Sequence, residues 1–243
     1  MFLNLIYTEL IKYKRTAVFW MIAIGGSLTA GTAMLLVTSQ KPVATWDDFA
    51  AAGLNGINLL ALFIIAVITG YVVSGEYQQR TIDILFTYPV SRIKLFMLKQ
   101  AVMFIFSICL YTSFLLSAIL FGIVFIGIPE GEMILKLLRL IFTMVVLNFV
   151  LVPLTSFICL LAKSSGTSIF TGMGYFISYM CFINIKHSLI IPTCTPNKLV
   201  NNFFVKESIS RGDIKGILAV SAAVFVTSGL ISAVYYSRHD VYK

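Results

Sequence analysis

Charge is scarce in this chain. Only 12% of its 243 residues are Asp, Glu, Lys or Arg, against about 25% in an ordinary soluble domain. That is too little polar surface to cover a globule in water, so lipid is the expected solvent. Histidine is nearly lacking: His187 and His239 lie far apart, and no metal-ligand spacing joins them. The cysteines Cys109, Cys159, Cys181 and Cys194 form no CxxC pair. The first three fall in apolar runs and read as small hydrophobic fillers, and Cys194 alone is expected at the surface. There is no GxxxxGK(S/T) loop to cradle a nucleotide, since the stretch "GGSLTAG" lacks the lysine. There is also no nucleophile elbow, no HExxH and no close Ser/His/Asp set. The chain is therefore expected not to be an enzyme, and it carries no cofactor of its own. No ionisable residue is expected at mid-span, which argues against a proton- or sodium-coupled carrier.

What the chain has is apolar length. It is 59% hydrophobic, with a mean hydropathy of +0.95. Inside hydrocarbon every backbone N–H and C=O must be paired within the protein, which leaves helices or a closed barrel. Barrel strands alternate apolar and polar residues. These runs do not alternate, so the expected fold class is an all-α membrane protein. Six crossings are expected: Thr16–Thr38, Leu54–Val73, Gln100–Ile128, Leu137–Ala162, Thr167–Ile183 and Ile217–Tyr236. The first is too long for a signal-peptide core. Asn148 and Pro153 in the fourth read as a helix-packing asparagine and a proline kink. The chain is read as one transmembrane domain, 1–243, with an interfacial helix at 1–15, a loop at 75–99 and an outer segment at 186–214.

In "FLNLIYTELIKYKR", Leu3, Ile6, Tyr7, Leu10 and Ile11 fall on one helical face. Asn4, Thr8, Glu9, Lys12 and Arg15 fall on the other, with Lys14 nearby. This is the pattern of a helix lying in the membrane surface. An inside N-terminus puts Lys12, Lys14, Arg15, Arg80, Arg92, Lys94, Lys99, Lys163, Arg238 and Lys243 in the cytosol, and both termini with them. The short outer loops then hold Lys41, Lys136 and Arg139 among Asp47, Asp48, Glu130 and Glu132. The net charge of +8 fits topology and anionic lipid, and no basic stripe points to nucleic acid. In the outer segment, Thr195 followed by Pro196 predicts a helix start, with the threonine hydroxyl as cap. Leu199, Val200, Phe203 and Phe204 form its apolar face, either resting on or re-entering the outer leaflet or packed as an ordinary loop.

The stretch "GEYQQRTIDILFTYPVSRIKLFMLK", from Gly75 to Lys99, joins the second and third crossings. Ile82, Leu85 and Phe86 lie at helical spacing, Tyr88 before Pro89 predicts a bend, and Ser91 predicts a cap for a second helix carrying Arg92 and Lys94. Mixed charge from Glu76, Arg80, Asp83 and Arg92, beside an apolar stripe, suits docking into a groove of another protein.

With "ELIKYKRTAVFW" at the first crossing, this loop resembles the permease of a type-2 ABC exporter, in the lantibiotic-immunity and bacitracin-resistance group. The positions carrying the resemblance are Glu76, Thr81, Leu85, Pro89, Ser91, Arg92 and Lys99. The resemblance implies that Glu9–Arg15 belongs to a connecting helix on the inner leaflet, and that Thr81–Phe86 is a coupling helix inserted into a separate ATPase subunit, which holds ATP and Mg. It also implies pairing with a second permease half, either the same chain or a sister, in a bacterial cytoplasmic membrane. Its cargo would be an amphipathic antimicrobial peptide or antibiotic. Another cargo (a toxin peptide, drug or lipid), or a scaffold or sensor without transport, stays open.

Overall fold

The computed structural model describes residues 2–14, 16–40, 43–78, 91–185, 188–205 and 211–238. Among these residues every regular element is a helix: α1 (Phe2–Tyr13), α2 (Ala17–Gln40), α3 (Trp46–Gln78), α4 (Arg92–Phe125), α5 (Gly131–Phe149), α6 (Val152–Ala162), α7 (Gly166–Phe182), α8 (Thr195–Val205) and α9 (Arg211–Arg238). A short 3₁₀ turn at Ser188–Ile190 precedes α8.

Five stretches are long and apolar enough to cross a bilayer: Ala17–Gln40, Trp46–Gly75, Arg92–Phe125, Gly131–Ala162 and Asp213–Ser237. The chain is thus an all-helical, multi-pass membrane protein. The remaining expected crossing, Thr167–Ile183, is α7. Its 17 residues rise about 26 Å at about 1.5 Å each, at the short limit of what spans a core of about 30 Å.

The helices share two ends. The indole N–H of Trp46 donates to the Gly127 carbonyl at 3.1 Å, joining the start of α3 to the end of α4. At the opposite end, here called the base, Ser165 Oγ donates to Gln78 Oε1 at 2.8 Å. There too Arg92 Nη1 donates to the Ser237 carbonyl at 3.3 Å. Tyr13, closing α1, joins the base by edge contacts with Tyr71 and Phe106 at 6.0 and 5.7 Å. The far end is called the rim.

The central helix is α3, which packs against α2, α4, α5, α6, α7 and α8. Lipid gives helices no hydrophobic reason to associate, so close approach of backbones has to supply dispersion contact instead. At Gly26 an added Cβ would lie 2.6 Å from the Phe114 backbone nitrogen, so glycine lets α2 meet α4. At Gly70 a Cβ would overlap the side chain of Ser168, so glycine lets α3 meet α7.

The fourth crossing is broken. Between Phe149 and Val152 the chain turns, and Pro153 falls in the first turn of α6. Proline lacks the N–H for the next ladder bond, and its ring crowds the carbonyl four residues back, so α5 stops there. Asn148, 2% exposed, ends α5 in a knot joining three helices. Its Nδ2 lies 2.6 Å from Asn58 Oδ1 on α3 and 2.7 Å from Tyr111 Oη on α4. The expected packing asparagine and proline break are both present.

Several local expectations are corrected. In α1, Ile6, Leu10 and Tyr13 pack on the core, whereas Tyr7 and Ile11 are exposed. Glu9, assigned to the polar face, is 5% exposed and bridges Lys12 at 2.5 Å; an i,i+3 partner makes its burial tolerable. Lys14 is exposed. Arg15 and the Leu3 side chain lie outside the described residues. The helix after Cys194 does start at Thr195, but the Thr195 hydroxyl is no cap acceptor. It donates backwards to the carbonyls of Leu189 at 2.9 Å and Ile191 at 2.8 Å. Nor is the polar side of α8 its outer side. Asn197 Nδ2 donates to Tyr179 Oη at 2.7 Å, and Asn201 Oδ1 accepts from Asn55 Nδ2 at 2.9 Å. Phe203 is the exposed residue. Cys194, expected at the surface, is fully buried, and Cys181 is the exposed cysteine.

Candidate functional site

The base holds the two helix ends, here called limbs, that flank residues 79–90 in the chain. One limb is the last turns of α3, where Val72, Val73 and Ser74 are buried. The other is the start of α4, where Ser91 is the N-cap with extended φ −63° and ψ 141°. Ser91 stands where a cap was expected, but its hydroxyl makes no capping hydrogen bond.

Three neighbouring helices grip these limbs. Ser74 Oγ donates to the Cys159 carbonyl on α6 at 3.2 Å, and Gln78 accepts from Ser165 at the start of α7. On the α4 limb, Gln100 Nε2 donates to Ser156 Oγ on α6 at 3.0 Å, and Arg92 reaches the last turn of α9. An apolar cluster of Val73, Leu95, Phe96, Leu160 and Tyr236 fills the space between, with the Phe96 and Tyr236 rings 5.9 Å apart. The turn from α6 into α7 passes through Lys163 in the left-handed region, φ 50°. Interhelical hydrogen bonds, two of them to backbone carbonyls, and packed apolar residues together hold this end.

The limbs are also tied to each other. Lys99 was expected in the solvated loop. It is 1% exposed, and its Nζ donates to the Val72 carbonyl at 2.8 Å. The reason for the correction is helix length: α4 starts at Arg92, so Lys99 sits two turns inside a packed helix. Of the expected docking residues, Arg92 is half-buried at the base, and Glu76 lies on α3 with its side chain outside the described residues. Arg80, Thr81, Ile82, Asp83, Leu85, Phe86 and Pro89 lie outside the described residues. The residues that sequence reasoning missed here are Ser74, Gln78, Gln100, Ser156 and Ser165. Gln100, a lone amide opening an apolar run, was the readable signal.

A second feature lies between α2, α3 and α7. It is a groove of about 540 Å³ lined by Leu28, Leu59, Phe63, Met173, Phe176 and Ile177, with Thr29 and Thr32. Both threonine hydroxyls return to carbonyls of their own helix, so the groove offers apolar surface. Among the described residues no group of three or more His, Cys, Asp or Glu could hold a metal ion.

The described helices thus form a bundle with several candidate membrane crossings, a braced base and an apolar groove between α2, α3 and α7. The family of ABC-2 family transporter proteins matches residues 5–179, and the chain belongs to that family. No curated protein matches the chain. Family membership makes the chain a transporter permease subunit, not the ATPase, and implies an ABC ATPase subunit as partner.

Proposed function

We propose that the chain is one transmembrane half of an ATP-driven exporter that moves an amphipathic cargo, an antimicrobial peptide or antibiotic, out of the membrane or cell. The observation that carries this reading is the base, where both ends of the 79–90 segment are braced by α6, α7 and α9. A segment mounted in this way transmits a push to the whole bundle instead of absorbing it. In this account Thr81–Phe86, with Glu76, Arg80, Asp83, Pro89, Ser91 and Arg92, docks on the ATPase from the cytosolic side, and α7 is the fifth of six crossings. Both termini face the cytosol of a bacterium, and α1 with Lys12, Lys14 and Arg15 lies at the inner leaflet. A second half completes the path.

ATP and Mg are held by the ATPase. Its closure moves the segment, the braced α3 and α4 follow, and α2 and α7 shift against α3. The groove between those helices suits apolar cargo, because a side chain leaving lipid for it loses no hydrogen bond. The test is ATP hydrolysis by this chain and its ATPase in lipid vesicles, with a cationic amphipathic peptide added. Stimulation saturating with peptide is expected. Hydrolysis indifferent to every peptide and lipid-linked antibiotic offered would remove the cargo assignment.

A further inference from the structure

Lys99 is the base feature that the proposed function leaves without a role. A buried amine loses hydration that only well-placed acceptors replace. A methionine would fill the same space with no such cost. The neighbours of Lys99 on its own helix face, Leu95, Phe96, Val102 and Met103, are all buried and apolar, so the position asks for an apolar residue.

The Nζ instead reaches across to the Val72 carbonyl, 2.8 Å away on the antiparallel α3. Val72 lies in the last described turns of α3, and its carbonyl is an acceptor that offsets part of the hydration the amine loses.

We propose that Lys99 is a positioning residue: a strut that makes the end of α3 and the start of α4 move as one body when the ATPase pushes on the segment between them. The inference rests on the coupling role proposed above. It acts through the Val72 carbonyl and touches neither cargo nor nucleotide.

The two limbs share α6 through Ser74 and Gln100, but α3 is also held by α7 through Gln78, and α4 by α9 through Arg92. Lys99 ties the limbs directly to each other, so that a push entering between them is not divided between α7 and α9.

The test uses the full chain with its ATPase subunit in detergent–lipid micelles, comparing the unaltered chain with Lys99→Met and Lys99→Arg. Three quantities are read: ATPase retained on the chain, ATP hydrolysis, and the change that Mg-ATP causes in hydrogen–deuterium exchange of the groove segments 56–63 and 173–177. Lys99→Met is expected to keep the ATPase and its hydrolysis, and to lose the ATP-driven exchange change by roughly tenfold, the worth of one strong hydrogen bond. Lys99→Arg, which still donates, is expected to restore most of it. An ATP-driven change of full size in Lys99→Met overturns the strut. So does a loss in Lys99→Arg as large as in Lys99→Met. If Lys99→Met does not fold, Lys99→Arg alone decides, full coupling supporting the strut and lost coupling opposing it. If the unaltered chain retains no ATPase, the coupling role itself fails and the strut with it.

Discussion

Replacing Asn148 with leucine keeps the branching of the side chain and removes its amide from the knot that joins α3, α4 and α5. Two interhelical contacts go, to Asn58 Oδ1 at 2.6 Å and to Tyr111 Oη at 2.7 Å. An interhelical hydrogen bond inside a membrane protein is worth about 0.6 kcal/mol on average and up to about 1.7. Two of them, with the Asn58 amide and Tyr111 hydroxyl left buried, cost about 2–3 kcal/mol in all. For a chain of this size each kcal/mol moves the thermal midpoint by about 2–4 °C. Asn148→Leu should therefore lower the midpoint by roughly 4–12 °C in a thermal scan in detergent micelles. The double variant Asn58→Leu with Asn148→Leu removes both amides, so it should cost less than the sum of the two single changes. A midpoint for Asn148→Leu equal to that of the unaltered protein, or strict additivity in the double variant, refutes the knot as a stabilising element.

Gly26→Val should destabilise by about 1–3 kcal/mol or more, because its Cβ would meet the Phe114 backbone and the α2–α4 contact cannot close. Gly31→Val, whose nearest neighbour is the Phe121 ring at 3.7 Å, should change the midpoint little, and the same scan reads both. Cys194 is predicted to resist maleimide until the protein unfolds. Burial raises its thiol pKa above the ordinary value, only partly offset by Thr193 and Lys198. The folded state then holds this proton to higher pH than the unfolded state does. The contribution of the thiol to stability is thus full below the ordinary thiol pKa and falls as pH rises above it. The difference between Cys194→Ser and the unaltered chain in midpoint against pH measures it.

The helices were legible because each one is a local fact. An unbroken apolar run can be paired with nothing but itself in lipid, and Pro153 broke α5 from α6 by its own covalent structure. What was not legible is which side of a helix faces protein. Asn197 and Asn201 look like the wet side of α8, yet they are the side that binds Tyr179 and Asn55. In lipid the exterior is apolar, so the soluble-protein reading of polar-out runs backwards there. Lys99 was assigned to solvent by counting lysines near crossing ends. Its phase, three and four residues after the buried Phe96 and Leu95 and four before the buried Met103, already set it on the packed face of α4. The partners of Ser74, Gln78 and Gln100 come from α6 and α7, dozens of residues away, and no local pattern encodes such pairings.

The central claim is that the segment between α3 and α4 is where another protein's ATP hydrolysis enters this one. Its most direct measurement is the amount of ATPase subunit retained on the chain after gentle detergent extraction, with and without Ile82→Asp and Phe86→Asp. The account predicts a stoichiometric complex for the unaltered chain and its loss in the double variant, with the thermal midpoint of the permease unchanged. Full retention by the double variant would contradict it.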